Sequence, residues 1–337
     1  MLPPGPRGSL FATWQWMRRP FAFLDECAAR YGDTFTLRFA TLPPLVMYAR
    51  PDDVKEVFAD DGGLLHAGQF NLQLRAFLGE HSVLMLDGKE HMRHRRLLLP
   101  PFQGERMHAY GQTMLDIADD SIDAWPVGAP FALHRPMQEI TLQVILRTVF
   151  GVDGAARLAR FDRLMAELLQ IAAWPPLLLP FMQRDLGRYS PWGRYLRKRA
   201  LTDQMVYAEI RERRAGGSRG RSDILSLLVD ARDEEGRPMS DQELHDELGT
   251  LVVAGHETTA TALAWTFRWL CARPEVAARV RGELAAAEAE APLTPERIAK
   301  LELLDAVARE SLRLQPVIPL VGRMLTRPAR IGGYDLP

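Results

Sequence analysis

Cysteine is nearly missing from this 337-residue chain, with Cys27 and Cys271 its only two. That excludes a disulfide framework and suits a reducing, cytoplasmic setting. An excess of either charge is missing too. The 42 Lys and Arg against 43 Asp and Glu leave a net charge of −1, so no global field draws the chain to nucleic acid or to an anionic membrane. Long apolar runs are lacking. The opening MLPPGP has three prolines in six residues, where a signal peptide needs a basic start and an unbroken apolar run. The apolar stretch 174–181 is short and holds three prolines, so it cannot span a bilayer as a helix. It suits a buried or pocket-lining loop, or contact with a membrane surface, and no transmembrane anchor is expected. No internal repeat and no linker interrupts the sequence, which leaves a single domain over residues 1–337.

What the chain does have is helical periodicity. Residues 21–31 read as a first helix stopped by Gly32, and 34–39 and 45–48 as short strands joined through Pro43-Pro44. Pro51 opens a short helix to Asp60, with Asp52 and Asp53 where carboxylates suit the helix dipole and Gly62-Gly63 at its end. Residues 64–87 are irregular, apolar and studded with histidine. Helices are predicted over 88–99, 104–124, 136–150, 155–172 and 191–214, with a polar loop at 215–221 and a short helix at 223–230. The longest helix runs from Asp241 to about Arg273, where Ser240 and Glu243 form a capping box. Its middle, 251–264, is almost wholly apolar or small and is predicted to be buried on all sides. Further helices follow at 274–291 and 301–314, then extended segments and turns to Pro337. The fold class is mainly α with small β-sheets.

Three constellations carry chemistry. Ala254-Gly255-His256-Glu257-Thr258-Thr259 sets an acid and two hydroxyls in the apolar middle of the long helix. A buried carboxylate is costly unless paired, and glycine and threonine are poor helix formers. Such rule-breaking gathers at functional or strained sites. The same residues also suit a helix crossing, with Gly255 allowing close packing and Glu257 meeting an arginine. Glu310 and Arg313, at i and i+3 just before Pro316, can form a partly buried ion pair. In the basic run 88–102, His91 and Arg95 share one helix face and can donate to a carboxylate or phosphate. A solvated basic surface is the alternative.

The basic run ahead of Pro100 and Phe102, then AGHETT, then Glu-Ser-Leu-Arg at 310–313 and LQPVIPLVGRMLT at 314–326 resemble, in order and separation, the cytochrome P-450 family of heme-thiolate monooxygenases. The PPGP start and IGGYDLP end are similar to it too, so the resemblance covers the whole chain. It implies the P-450 fold and a heme b (iron protoporphyrin IX) cofactor. His91, Arg95 and Arg323 are implied as propionate ligands. Ala254 and Gly255 are implied to leave room for O2, with Gly255 letting the helix open. Thr258 is implied to hold the distal oxygen and a water, Glu257 to relay protons, and Glu310 and Arg313 to fix the structural core. Implied partners are O2, an apolar small-molecule substrate, and a ferredoxin with its reductase or a similar electron donor.

The family's heme-ligating cysteine sits in a glycine-containing loop after the Glu-x-x-Arg helix. Cys27 and Cys271 lack its Phe-x-x-Gly-x-x-x-Cys surroundings, and no other cysteine precedes Pro337. The expectation is therefore a fold incomplete at the C-terminus, with no metal ligand of its own. The pocket is expected to be lined by 64–86, 174–181, the long helix and 317–321, mostly Leu, Val, Ile and Phe. That composition suits a fatty acid, terpenoid or polyketide. His66, Gln69 and Asn71 could orient a polar end or belong to a solvated loop. The basic residues 93–96 could steer an acidic partner or form an ordinary solvated face. Two rival classes stand beside this reading. A zinc hydrolase needs His-Glu-x-x-His, and Ala260 stands where the second histidine should be. A non-catalytic helical relative that binds an apolar ligand or a partner is the other.

Overall fold

The structure, a computed structural model, describes residues 2–40, 42–60, 63–103, 105–152, 154–218 and 220–337. Two compact units emerge, one from residues up to 70 together with 322–337, the other from 71–321.

The first unit opens with α1 (Ser9–Arg18) and α2 (Pro20–Tyr31). The hairpin β1 (Thr34–Leu37) and β2 (Leu45–Tyr48) follows, antiparallel with Thr34 opposite Tyr48. Then come α3 (Pro51–Ala59), β3 (Leu65–His66) and α4 (Ala67–Phe70). The C-terminal segment returns as β4 (Met324–Leu325), antiparallel to β3, and as the hairpin β5 (Ala329–Ile331) and β6 (Tyr334–Leu336). Phe23, Cys27, Phe35, Leu37 and Phe39 make its core. The Tyr48 hydroxyl donates to the Ile331 carbonyl at 3.0 Å, and burial, then Asp53 and Glu56, push its ionisation up to about 12. Sequence reading missed α1, and the reason is local: it starts at Gly8 with no side-chain cap and no acid in its first turn. The expected stop at Gly62 lies outside the described residues.

The second unit begins with a 3₁₀ turn (Leu72–Leu74) and α5 (Arg75–Leu78). Next are α6 (Gly88–Leu98), α7 (Glu105–Asp123), α8 (His134–Thr148), α9 (Ala155–Ala172), α10 (Pro191–Glu212) and α11 (Ile224–Asp230). The longest helix is α12 (Asp241–Ala272), 32 residues or about 48 Å at 1.5 Å rise each. The capping box forms as expected. Ser240 Oγ accepts from the Glu243 N–H at 3.1 Å, and Glu243 Oε2 accepts from the Ser240 N–H at 2.6 Å. Then follow α13 (Pro274–Glu290), α14 (Pro295–Ile298) and α15 (Glu302–Leu314).

One core fills this unit, with Leu142, Ile145 and Leu146 of α8, Phe161, Ile210, Leu225 and Leu228 packed against Leu244, Leu248 and Val252 of α12. The proline-rich stretch 174–181 folds as two 3₁₀ turns. Leu177 anchors it against Trp192 and Tyr195, while Trp174, Leu179 and Phe181 stay exposed. The loop expected at 215–221 is partly helical, since a π turn at Arg213–Gly217 prolongs α10. Arg221 there pairs with Asp223 at 2.8 Å, and Arg219 lies outside the described residues.

Candidate active site

The middle of α12 is not buried all round. Val252, His256 and Ala260 are buried against the core, whereas Val253, Ala254, Glu257 and Thr259 face solvent. The physical reason is that α8 packs along one side of the helix only. Gly255 lets it approach: a Cβ at 255 would lie 2.8 Å from Ile145 Cδ1. The close-packing reading of Gly255 is therefore the one that the geometry supports, and α12 runs unbroken through it. His256 also turns to α8, its Nδ1 3.0 Å from Thr141 Oγ1. Burial holds the His256 imidazole below its ordinary value, and His134 adds to the effect while Glu257 opposes it.

Glu257 is half exposed rather than buried, and among the described residues no arginine pairs with it in the way the helix-crossing alternative requires. Gln138 Nε2 of α8 donates to its Oε2 at 2.7 Å. His134 Nε2 lies 3.3 Å from its Oε1, and Thr261 Oγ1 donates to the same oxygen at 3.5 Å. The Thr258 hydroxyl, one residue on, donates back to the Ala254 carbonyl. Ala254, Glu257, Thr258 and Thr261 are spaced 3 or 4 apart, so they share one face.

The basic segment divides sharply. Arg93 is bound by Asp233 and Glu243, both at 2.7 Å. His94, 1% exposed, lies 2.7 Å from Glu247 and 3.2 Å from Glu243. Arg96 pairs with Glu234 at 2.5 Å. Arg95 is exposed and has no carboxylate partner among the described residues. Residues 93–96 are thus no open basic patch, because three of the four are already neutralised within the fold. His91 is partly buried on the same helix.

Glu310 and Arg313 do form a bidentate pair, at 2.7 and 2.8 Å, but both side chains are more than half exposed. The expected partial burial fails because Ser311 is the residue that α15 buries, its hydroxyl accepting from Thr266 of α12 at 3.0 Å. Arg323 belongs to the first unit. There it stacks over Phe58, 5.1 Å from the ring centroid, and donates to the Gly322 carbonyl at 2.9 Å.

Sequence reading missed the most heavily buried charges. On the first turns of α12, Asp246 and Glu247 are 1% and 0% exposed. Asp246 accepts from the His81 N–H at 3.0 Å and from Gln242 Nε2 at 2.8 Å. His245 lies between Asp246 at 3.0 Å and Asp203 at 2.9 Å, stacked on Tyr207. Burial pulls the His245 imidazolium down, but the two carboxylates outweigh it and lift it to about 9. Gly79 is required beside this cluster: its φ is +90°, and a Cβ there would lie 2.2 Å from the Asp246 carboxylate. The signal was present, since a His-Asp-Glu run inside an apolar helix breaks the same rules as AGHETT.

Comparison with known proteins settles the kinship. A profile of the cytochrome P-450 family matches residues 2–337. The chain belongs to the cytochrome P-450 family. Cytochrome P-450 135B1 of Mycobacterium tuberculosis is 41% identical over 339 residues, which cover 100% of this chain and 70% of that protein. Cytochrome P-450 135A1 of the same organism is 36% identical over 342 residues, 100% of this chain and 72% of that one. The retinoic acid-bound cyanobacterial CYP120A1 superposes with a TM-score of 0.82 at 22% identity, covering 100% of this chain and 75% of its own. The heme domain of a second P-450 gives 0.83 at 22%, covering 99% and 74%. These two show the mainly helical P-450 fold.

As a P-450 the chain is kin to heme monooxygenases that work with O2 and a redox partner. Two features of the second unit fit heme. Arg95 offers a cation with no carboxylate partner among the described residues, suited to a propionate. The open face of α12 is apolar at Val253 and Ala254, and Ile318, Leu320 and Val321 are exposed as well, as an apolar macrocycle requires. Cys27 is buried in the first unit's core. Cys271 is 17 residues beyond Ala254 on α12, roughly 25 Å along the helix. Among the described residues no helix is long and apolar enough to cross a membrane.

Proposed function

We propose that this P-450 hydroxylates an apolar small molecule, with heme b as its cofactor and electrons from a ferredoxin with its reductase or a similar donor. One observation carries the reading: an acid and an alcohol, Glu257 and Thr258, are neighbours on the open face of α12, beside the apolar Val253 and Ala254. Heme, when bound, supplies O2 activation, and the residues around it supply orientation, protons and exclusion of water.

Thr258 gives its hydroxyl proton to the Ala254 carbonyl, which leaves its oxygen lone pairs to hold a donor such as a water. Glu257, half exposed, exchanges protons with solvent and hands them on along the face. Ala254 keeps that face low with a methyl group. Gly255 fixes the helix by letting Ile145 of α8 pack against it. His91 and Arg95 on α6 would neutralise the propionates. The Glu310–Arg313 pair would steady the end of α15. Exposed Ile318, Leu320 and Val321 support an apolar substrate such as a fatty acid, terpenoid or polyketide. The unpaired cysteines support a cytoplasmic setting. We take the two units to act together as one P-450 domain.

The test pairs a ferrous–carbon monoxide difference spectrum of the full-length protein with the variant Thr258→Ala. Both proteins are expected to bind heme and give a Soret band. In T258A, product formed per NAD(P)H falls on the order of tenfold, with peroxide released in its place and substrate Kd unchanged. Unchanged coupling removes the role of Thr258. No band in either protein overturns the heme-thiolate reading and favours a helical binder of apolar ligands.

A further inference from the structure

Glu257 is held from a neighbouring helix. Both of its carboxylate oxygens are engaged: Oε2 by Gln138 at 2.7 Å, and Oε1 by His134 at 3.3 Å and by Thr261 at 3.5 Å. His134 Nε2 also lies 3.4 Å from Thr261 Oγ1, which closes a small ring of contacts. We infer that His134 and Gln138 of α8 are positioning residues for the Glu257 carboxylate, with Thr261 completing the set. The inference rests on the proton-supplying role proposed for Glu257.

Three physical points support it. A half-exposed glutamate on a helix otherwise samples several rotamers, and holding one of them has an entropic cost. Hydrogen bonds from a fixed neighbour select one. His134 and Gln138 are i and i+4 on α8, so they present one face, and α8 is itself locked to α12 close by. Ile145 packs at Gly255, and the buried Thr141 hydroxyl lies 3.0 Å from His256 Nδ1 and 3.1 Å from the His256 carbonyl. The chemistry of the donors also matters. A guanidinium at this place would favour the charged carboxylate strongly. A neutral amide fixes direction without fixing charge, which suits an acid that must both take up and release a proton. The same contacts explain why Glu257 needs no arginine, and they assign α8 a role that no motif in its sequence marks.

The experiment uses the full-length, heme-loaded protein and reads two quantities. The first is the Gln138 side-chain amide signal in 15N NMR. It is expected to shift in Glu257→Ala and to stay in place in Thr258→Ala. The second is product per NAD(P)H in Gln138→Leu, His134→Leu and His134→Gln. The two leucine variants are expected to lose coupling about three- to tenfold while substrate Kd and melting temperature hold. His134→Gln keeps an N–H donor and is expected to retain coupling, which a role limited to packing would not predict. A Gln138 amide indifferent to Glu257→Ala, or leucine variants coupled like the wild type beside an uncoupled Thr258→Ala, overturns the inference. If Thr258→Ala and Glu257→Ala themselves leave coupling intact, the proton-supply reading fails, and the NMR shift still decides whether α8 holds the carboxylate.

Discussion

The first third of α12 and its middle are one continuous helix, yet they handle acids in opposite ways. Asp246 and Glu247 are sealed from solvent, and His81, His94, Gln242 and His245 stand on their oxygens or beside them. Three turns on, Glu257 stands half in water with an amide, an imidazole and a hydroxyl around it. The buried acids and His245 beside them hold elements together, tying α6, α10 and the segment after Gly79 to the helix. The open acid keeps access to solvent, which a group that exchanges protons needs. Burial against imidazoles and backbone marks structure here, and partial exposure beside an amide, an imidazole and a hydroxyl marks the proposed chemistry.

The largest test of that contrast is a pair of matched substitutions. Glu247→Leu removes one partner of a buried pair and should lower unfolding stability by about 3 kcal/mol. Glu257→Leu, at an open position, should change it by no more than about 0.5 kcal/mol. Urea denaturation of the two variants decides it, and equal losses would erase the distinction.

A smaller effect separates the regions by pH. The folded His245 imidazolium is raised from an ordinary 6.5 to about 9. Its stabilisation is therefore complete below about pH 6.5 and is lost as pH rises through about 9. Stability should fall by about 2 kcal/mol across that window, as followed by urea midpoints at pH 6.5, 8 and 9.5. His245→Gln should abolish most of the slope. The capping acid works at the other end. Burial raises Glu243, but hydrogen bonds from Ser240 and Arg93 outweigh it and hold it at about 2. Its contribution is present above about pH 4.5 and disappears only as pH falls through about 2.

The smallest expected change in stability is at Arg95. Arg95→Gln should leave unfolding within about 0.5 kcal/mol while weakening heme retention several-fold in a heme titration. Arg93→Gln should do the reverse, since Arg93 bridges Asp233 and Glu243. Equal heme loss in both would mean that the neutralised and free cations of α6 are not functionally distinct.

Much of the fold was legible in the chain. The helices at 155–172, 191–212 and 241–272, the two strands of the first hairpin and the Ser240–Glu243 cap follow from periodicity, proline and capping chemistry, which are local. Other features were not. Helix α1 has no side-chain cap and no acid at its N-terminus to mark where it begins. The exposure of Glu310 and Arg313 depends on Ser311 being the residue turned toward Thr266, a matter of helix rotation that an i, i+3 spacing leaves open. The pairing of Arg93, His94 and Arg96 with acids more than 130 positions away could not be read from the basic run itself, so that run looked like an open patch.

The sequence by itself determined the family, the order of the helices and the acid–alcohol pair at Glu257 and Thr258, because each is written in contiguous residues. Only the tertiary structure decided which charges are buried, which cation is free and what holds Glu257. Burial and pairing depend on which side chains from distant segments share the same few ångströms. Gln138 and Glu257 are 119 residues apart in the chain and 2.7 Å apart in space.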